Sequence, residues 1–359
     1  MLQYEPLLDV PGMNTEMVTY FQSGGWLTEH KQTRKFEEEI ARLTDTKYCY
    51  MVSNGTISLS IALMAYGIRP GDEVLVPALT MIATPNAVRL LGAVPVFVDV
   101  EADNLCMDFN DMLSKKTDKT KALIYVTLNG RSNKIMDFSC YCRRHNIAYI
   151  EDDAQSLGSC YSNLKPIGSK GISSFSFSMP KIITTGQGGC LCTNDDELAD
   201  NIRRIRDFGR EKAGVDIHPY FGINAKFTDL QSVVGLNQLK TFKERVKIKK
   251  SLYSLYQQYL SNVPEITWLP TDLTYVTPWF VDIYVGRRDE LKKYLAELNI
   301  HTREVYPSVP SQKCYDLGYP FPITDKFSKM GLWLPSSMNL TAYDVQIVAD
   351  KIKAFFSKS

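Results

Sequence analysis

The sequence is short of histidine, of long apolar runs and of any excess of one charge, and each shortage removes a class of function. Its 41 basic and 40 acidic side chains leave a net charge of +1. No one-signed field is therefore available to draw in nucleic acid or an anionic membrane surface. No uncharged apolar stretch approaches the ~20 residues that a membrane-spanning helix needs. The N-terminal "MLQYEPLLDVPGMNTEM" carries acids, with no basic segment leading into an apolar block, so no signal peptide is read there. The four histidines, His30, His145, His218 and His301, are scattered and suggest no ligand cluster. Eight cysteines (Cys49, Cys106, Cys140, Cys142, Cys160, Cys190, Cys192 and Cys314) at irregular spacing read as free thiols of a reducing cytoplasm. Cys140/Cys142 and Cys190/Cys192 have C-x-C spacing, but no histidine accompanies them at zinc-site spacing. "GGCLCTND" instead has the pattern of a buried strand on which small thiols pack, and no metal is expected. There is no internal repeat, no low-complexity linker, and no G-x-G-x-x-G after an early strand. The last absence disfavours a Rossmann dehydrogenase.

What is present is an ordinary globular composition, with 44% hydrophobic and 23% charged residues in 359. That length suggests two domains, or one large domain with a smaller companion. From about residue 34 to 200, helical and strand patterns alternate. "TRKFEEEIARLT", "GTISLSIALMAYGI", "TPNAVRLLG", "FNDMLSKKT" and "FSCYCRRHN" read as helices. "KYCYMVS", "EVLVPAL", "VPVFVDV", "KALIYVTLN" and "IAYIEDDA" read as strands between them. Continuous Val/Ile/Leu strands separated by helices predict an α/β fold with a mostly parallel sheet covered on both faces. Further on, "DELADNIRRIRDFGR" reads as a helix, and "TDLQSVVGLNQLKTFKERVKIKKSLYSLYQQYLSNV" as one long amphipathic helix. "WFVDIYV", "RDELKKYLAELNI" and "AYDVQIVADKIKAFFS" add a strand and two more helices. The expected division is a large α/β domain over 1–238 and a smaller α+β domain over 239–359.

Three pieces with chemical potential fall at strand ends, where open α/β sheets bind ligands. In "SNGT" (53–56), Gly55 and Thr56 open a helix whose free amides and hydroxyl suit an anion, though the same residues make an ordinary capped turn. In "YIEDDAQSLGS", Asp152 and Asp153 follow an apolar strand, with Gln155 close behind. A carboxylate there suits a protonated ring nitrogen, a metal, or the cap of the next helix. In "SFSFSMPKIITTGQGGCL" (174–191), Lys181 sits among apolar neighbours. Desolvation lowers a lysine's pKa and leaves a nucleophilic amine able to form a Schiff base, although a snorkelling lysine fits the pattern as well. Ser176, at the end of the preceding strand, can turn a hydroxyl toward a phosphate. Phosphate donors, an acid for a ring nitrogen, a hydrogen-bonding Gln and a Schiff-base Lys together describe a pyridoxal phosphate (PLP) site.

Over nearly its full length the chain resembles the DegT/DnrJ/EryC1/StrS nucleotide-sugar aminotransferases of fold type I, and within them the perosamine-synthase-like C4 enzymes. The matching blocks are "GGWLTEHKQTRKFEEEIA" (24–41), "VSNGT" (52–56), "GDEVLVPALT" (71–80), "GAVPVFVDV" (92–100), "IEDDAQSLGS" (150–159), "SFSFSMPKIITTGQGG" (174–189) and "GINAKFTDLQSVVGLNQL" (222–239). The K-x-ITTG-x-GG form around Lys181 points toward 4-keto-6-deoxysugar substrates. The resemblance implies that Lys181 binds PLP covalently and moves the proton. It implies that Asp152 pairs with the ring nitrogen, that Gln155 meets the 3-hydroxyl, and that Gly55, Thr56 and Ser176 hold the phosphate. Asn224 would reach that phosphate from the neighbouring subunit, which makes the active unit a homodimer with shared sites. L-glutamate is the implied amino donor, and amino sugars for surface glycans such as O-antigen are the implied products.

Four positions depart from the family pattern. Met81 stands where an aromatic residue usually stacks on the cofactor ring. "LNGRSNK" replaces the usual YG(H/Q)P loop, and its Arg131 is read either as meeting a diphosphate or as a solvated loop charge. Lys226 replaces an arginine, and "REVYPSVPSQ" lacks a common histidine. Three rivals stand beside the C4 aminotransferase: a C3 aminotransferase, a pyridoxamine-dependent sugar dehydratase, and a non-catalytic PLP-binding regulator. The dehydratase typically has His at the lysine position, so Lys181 argues against it. A complete Asp152/Gln155/Lys181 set argues against the regulator.

Overall fold

Strands form where the apolar runs predicted them. In the computed structural model, which describes residues 1–212 and 214–357, the first sheet contains β1 (Tyr48–Val52), β2 (Glu73–Pro77), β3 (Val94–Val98), β4 (Thr120–Val126), β5 (Ala148–Asp152), β6 (Ile172–Ser176) and β7 (Gly189–Thr193). Their order is β1-β7-β6-β5-β4-β2-β3. The run from β3 to β6 is parallel, and β7 lies antiparallel to both β6 and β1. Both faces are covered, which is why these strands are apolar throughout rather than alternating. Along β2, Leu75 enters one core with Phe36, Leu123 and Phe175, while Val74 and Val76 enter the other with Leu59, Ile124 and Ile150. The thiols of Cys49, Cys190 and Cys192 meet in the first of these cores, within 4.8 Å of one another.

A second, antiparallel sheet has the order β10-β11-β9-β8, from β8 (Ile266–Thr267), β9 (Asp282–Val285), β10 (Arg303–Glu304) and β11 (Gly331–Trp333). It packs against the helices Phe242–Tyr259, Arg288–Glu297 and Ala342–Ser357 through Leu252, Tyr256, Ile283, Leu291, Val345 and Ile352. The first residues of the chain join this layer, since Met1 O accepts from the His301 amide and Gln3 O from the Ser336 amide. No helix of the described residues is long and apolar enough to cross a membrane.

Two helical expectations need correction. The single long helix is two, Asp229–Leu239 and Phe242–Tyr259, interrupted at Lys240 and Thr241. The turn lets the second helix bury two of its cations. Arg245 donates to the carbonyls of Ile182 (3.1 Å) and Leu7 (2.9 Å), and Lys249 to those of Trp279 and Ser336, both at 2.8 Å. The "DELADNIRRIRDFGR" helix stops at Ile205, because Phe208 and Gly209 take left-handed φ values of 59° and 74°. At Gly209 a Cβ would fall 1.9 Å from the carbonyl oxygen of Tyr220, so only glycine fits.

Candidate active site

The carboxyl ends of β1, β2, β5 and β6 surround a cavity of about 540 Å³ that Trp279, Arg303 and Tyr306 close from the second sheet. Seven of the eight catalytic and cofactor-binding candidates read from the sequence line it: Gly55, Thr56, Met81, Asp152, Gln155, Ser176 and Lys181. They come from four separate segments, and the sheet topology brings them together.

At one end β1 runs into the helix Gly55–Ala65, which Asn54 caps by accepting from the Ile57 amide at 2.9 Å. The amides of Gly55 and Thr56 open that helix and have no acceptor within it. Gly55 lies against Ser176, whose Cβ would stand 3.1 Å from any Cβ placed on Gly55. Ser176 and Ser178 add hydroxyls on the opposite wall. This end of the cavity is built for an anion: oriented amides, a helix dipole, small hydroxyls and a missing side chain.

Strand pleating separates the three acids that end β5. Asp152 faces the cavity, its Oδ2 accepting from the Thr84 hydroxyl at 2.6 Å and its Oδ1 from the Ala154 amide at 3.2 Å. Burial raises its pKa, opposed by those two bonds and by Lys181. Glu151 and Asp153 are buried away from it, accepting from Tyr161 (2.6 Å) and Thr127 (2.8 Å) respectively. Asp152 is thus the acid of this run that the cavity uses, and no helix follows it to be capped. Gln155 is oriented by the Asn129 amide, which donates to its Oε1 at 2.8 Å, and its Nε2 points to the Tyr306 hydroxyl at 3.4 Å.

Lys181 occupies the loop between β6 and β7, with its amine 4.1 Å from the centre of the Trp279 ring. The ring is locked, because its indole N–H donates to Pro180 O at 2.7 Å. Burial pushes the lysine pKa down to about 8; Asp152 works against that shift and Arg303 with it. The result is an amine that gives up its proton far more readily than an ordinary lysine, with its neutral form accessible near physiological pH.

The structure places two sequence-predicted cations elsewhere. Arg131 neither meets the cavity nor stands in solvent; it is buried and donates two bonds of 2.9 Å to Asp282 on β9. Thr271 and Tyr284 complete that cluster, which ties the loop after β4 to the second sheet. Lys226 pairs with Asp207 at 3.0 Å. Asn224 is exposed and outside the cavity of its own chain, bridged to Asp207. Met81 lines the cavity and is exposed at its edge. Four residues escaped the sequence reading: Thr84, Trp279, Arg303 and Tyr306. Nothing in their local pattern marks them, since the last three arrive from the second sheet and its loops.

Across residues 12–353 the sequence matches the DegT/DnrJ/EryC1/StrS aminotransferase family. The chain belongs to that family. It is 33% identical to a GDP-perosamine synthase of Escherichia coli O157:H7, over 99% of this chain and 98% of the relative. A GDP-perosamine synthase of Vibrio cholerae is 30% identical over the same shares. Among solved structures, that of DesV from S. venezuelae superposes with a TM-score of 0.91 at 28% identity, covering 96% of this chain and 94% of that one. The protein is therefore an aminotransferase with the family's α/β architecture.

Proposed function

We propose that this aminotransferase uses PLP to move an amino group from L-glutamate to C4 of a nucleotide-linked 4-keto-6-deoxyhexose of the perosamine or viosamine type. The observation that carries the reading is the meeting, in one cavity, of a lysine depressed to about 8 with a buried acid and an anion cradle. Those residues fit the cofactor's chemistry. Gly55, Thr56 and Ser176 would hold its phosphate, Asp152 would keep its ring nitrogen protonated, and Gln155 would donate to its ring hydroxyl. Bound PLP supplies an electron sink for the pair released when a carbon–hydrogen bond breaks. The rest falls to the chain. Lys181 Nζ takes the proton from the donor's α-carbon and later delivers one to C4 of the sugar, so that glutamate leaves as 2-oxoglutarate and the ketone becomes an amine. Thr84 fixes the Asp152 carboxylate, and Trp279 limits water around the lysine.

A homodimer with shared sites fits the surface. Asn224 follows a segment that exposes four large apolar side chains close together, Val215, Ile217, Tyr220 and Phe221. This segment would cover a neighbouring subunit and carry Asn224 toward its phosphate. The cytoplasm suits the eight unpaired cysteines. We retain the division of the chain near residues 238 and 239, beside the helix break.

The test is the absorbance spectrum of purified protein with PLP, then with excess L-glutamate, then with a panel of nucleoside-diphosphate 4-keto-6-deoxysugars. The visible band should appear, bleach with glutamate, and return with one sugar. If PLP binds and glutamate leaves the spectrum unchanged, transamination is wrong and a dehydratase or regulatory role takes its place.

A further inference from the structure

The buried arginines among the described residues all have partners, and none of them lines the cavity. Arg131 holds Asp282, Arg206 holds Glu29, and Arg245 holds two carbonyls. Arg303 differs in being exposed rather than buried. It lines the cavity from β10, and among the described residues its side chain makes no ion pair or hydrogen bond. Its one directed contact is with a ring, its Cζ lying 5.4 Å from the centre of Trp333. Its neighbour Glu304, the obvious partner, is taken by Lys292 at 2.5 Å and Arg288 at 3.5 Å. A planar fork laid on an aromatic shelf at the cavity wall, with its donors taken by no other protein group, suits a bidentate anion.

Two anions enter the proposed reaction, the carboxylates of the amino acid and the diphosphate of the nucleotide sugar. Position separates them. Arg303 and Lys181 line the same cavity, linked by a short aromatic relay: Trp333 and Trp279 lie 5.4 Å apart, and Trp279 meets the lysine amine. The α-carboxylate of an amino acid is bonded to the carbon that surrenders its nitrogen, so it stands beside the reacting amine. The diphosphate is separated from C4 by the whole pyranose ring. We infer that Arg303 recognises the α-carboxylate of the amino donor. The inference rests on the aminotransferase reading above and assigns one residue to its first substrate. The position also has a consequence for the lysine. Arg303 is one of the two charges acting on Lys181, and the one that favours the neutral amine.

The test compares wild type with Arg303→Gln and Arg303→Lys, side chains exposed enough that folding should be unaffected and can be checked by melting temperature. The probes are 2-oxoglutarate, which carries the donor's carboxylates, and GDP and dTDP, which carry the diphosphate; binding is read by calorimetry. Arg303→Gln should weaken 2-oxoglutarate about 10- to 100-fold, the scale of a lost charged hydrogen bond. Arg303→Lys should recover part of this, and the nucleotides should be unaffected. In the same variant, the pH at which apoprotein captures PLP half-maximally should move up from about 8. Nucleotide binding that weakens while 2-oxoglutarate is unchanged would overturn the assignment, as would indifference to both or a wild type that binds no 2-oxoglutarate. A wild type that binds 2-oxoglutarate through Arg303 yet never bleaches with glutamate would sink the enzyme reading and leave this one standing.

Discussion

The Trp279 ring holds Lys181 from two directions: its face stands 4.1 Å from the lysine amine, and its N–H is bonded to the carbonyl of Pro180, one residue earlier. The first contact acts on charge and the second on position. Trp279→Phe keeps a ring face and loses the N–H, whereas Trp279→Ala loses both. Stopped-flow bleaching by glutamate should slow modestly in the first. It should fall roughly 10- to 100-fold in the second, in keeping with about 0.5–2 kcal/mol from the ring contact plus one hydrogen bond. Equal rates in both variants would show that the N–H alone matters.

Burial holds the Lys181 amine well below an ordinary lysine, down to about 8. The protonated amine cannot attack an aldehyde, so capture of PLP by apoprotein should accelerate about tenfold per pH unit from pH 6 to 8 and level off above. Lys181→Ala should show no such capture at any pH, and transamination should fall by at least ~10⁴-fold with the loss of the proton carrier. A capture rate still climbing between pH 9 and 10 would mean that burial does not depress this lysine.

Arg131 and Asp282 form a buried pair, and breaking it leaves a carboxylate without a partner. Arg131→Met should cost about 3–5 kcal/mol of stability, read by chemical denaturation. Asp282→Asn combined with it should recover much of that loss, because no charge then remains buried. The affinity for the sugar nucleotide should not change in any folded variant. A specific loss of nucleotide binding would restore the diphosphate role that the geometry removes.

Subunit sharing is checked by mixing two defective proteins. The Asn224→Ala and Lys181→Ala proteins should each be impaired. If Asn224 serves the neighbouring subunit, refolding them together should recover part of the activity, because one site of each mixed dimer is then intact. No recovery would confine Asn224 to its own chain or to its Asp207 bridge.

The parallel sheet was legible because burial on both faces forces apolar strands, and that composition needs no tertiary knowledge to read. The cavity's first wall was legible for a related reason. Gly55, Asp152, Ser176 and Lys181 follow strands closely, and chain topology carries strand ends to one edge. The helix break at Thr241 was hidden, since "KTFKERV" has helical propensity throughout and the turn exists only because Arg245 and Lys249 find carbonyls in the core. Arg131 was misread because a loop arginine looks the same whether it meets phosphate, water or Asp282; its partner lies 151 residues away.

Residue types and their local order were enough for the family and the sheet, and to single out Lys181 as the candidate reactive lysine, since each rests on short-range chemistry: propensity, periodicity, and the groups that a Schiff base requires. Only the tertiary structure could set the lysine's acidity and bring Arg303, Trp279 and Tyr306 to the opposite wall. Desolvation and unpaired charge belong to neighbours in space, and these neighbours stand more than 80 residues beyond the end of β7, on β10 and in the loops beside the second sheet.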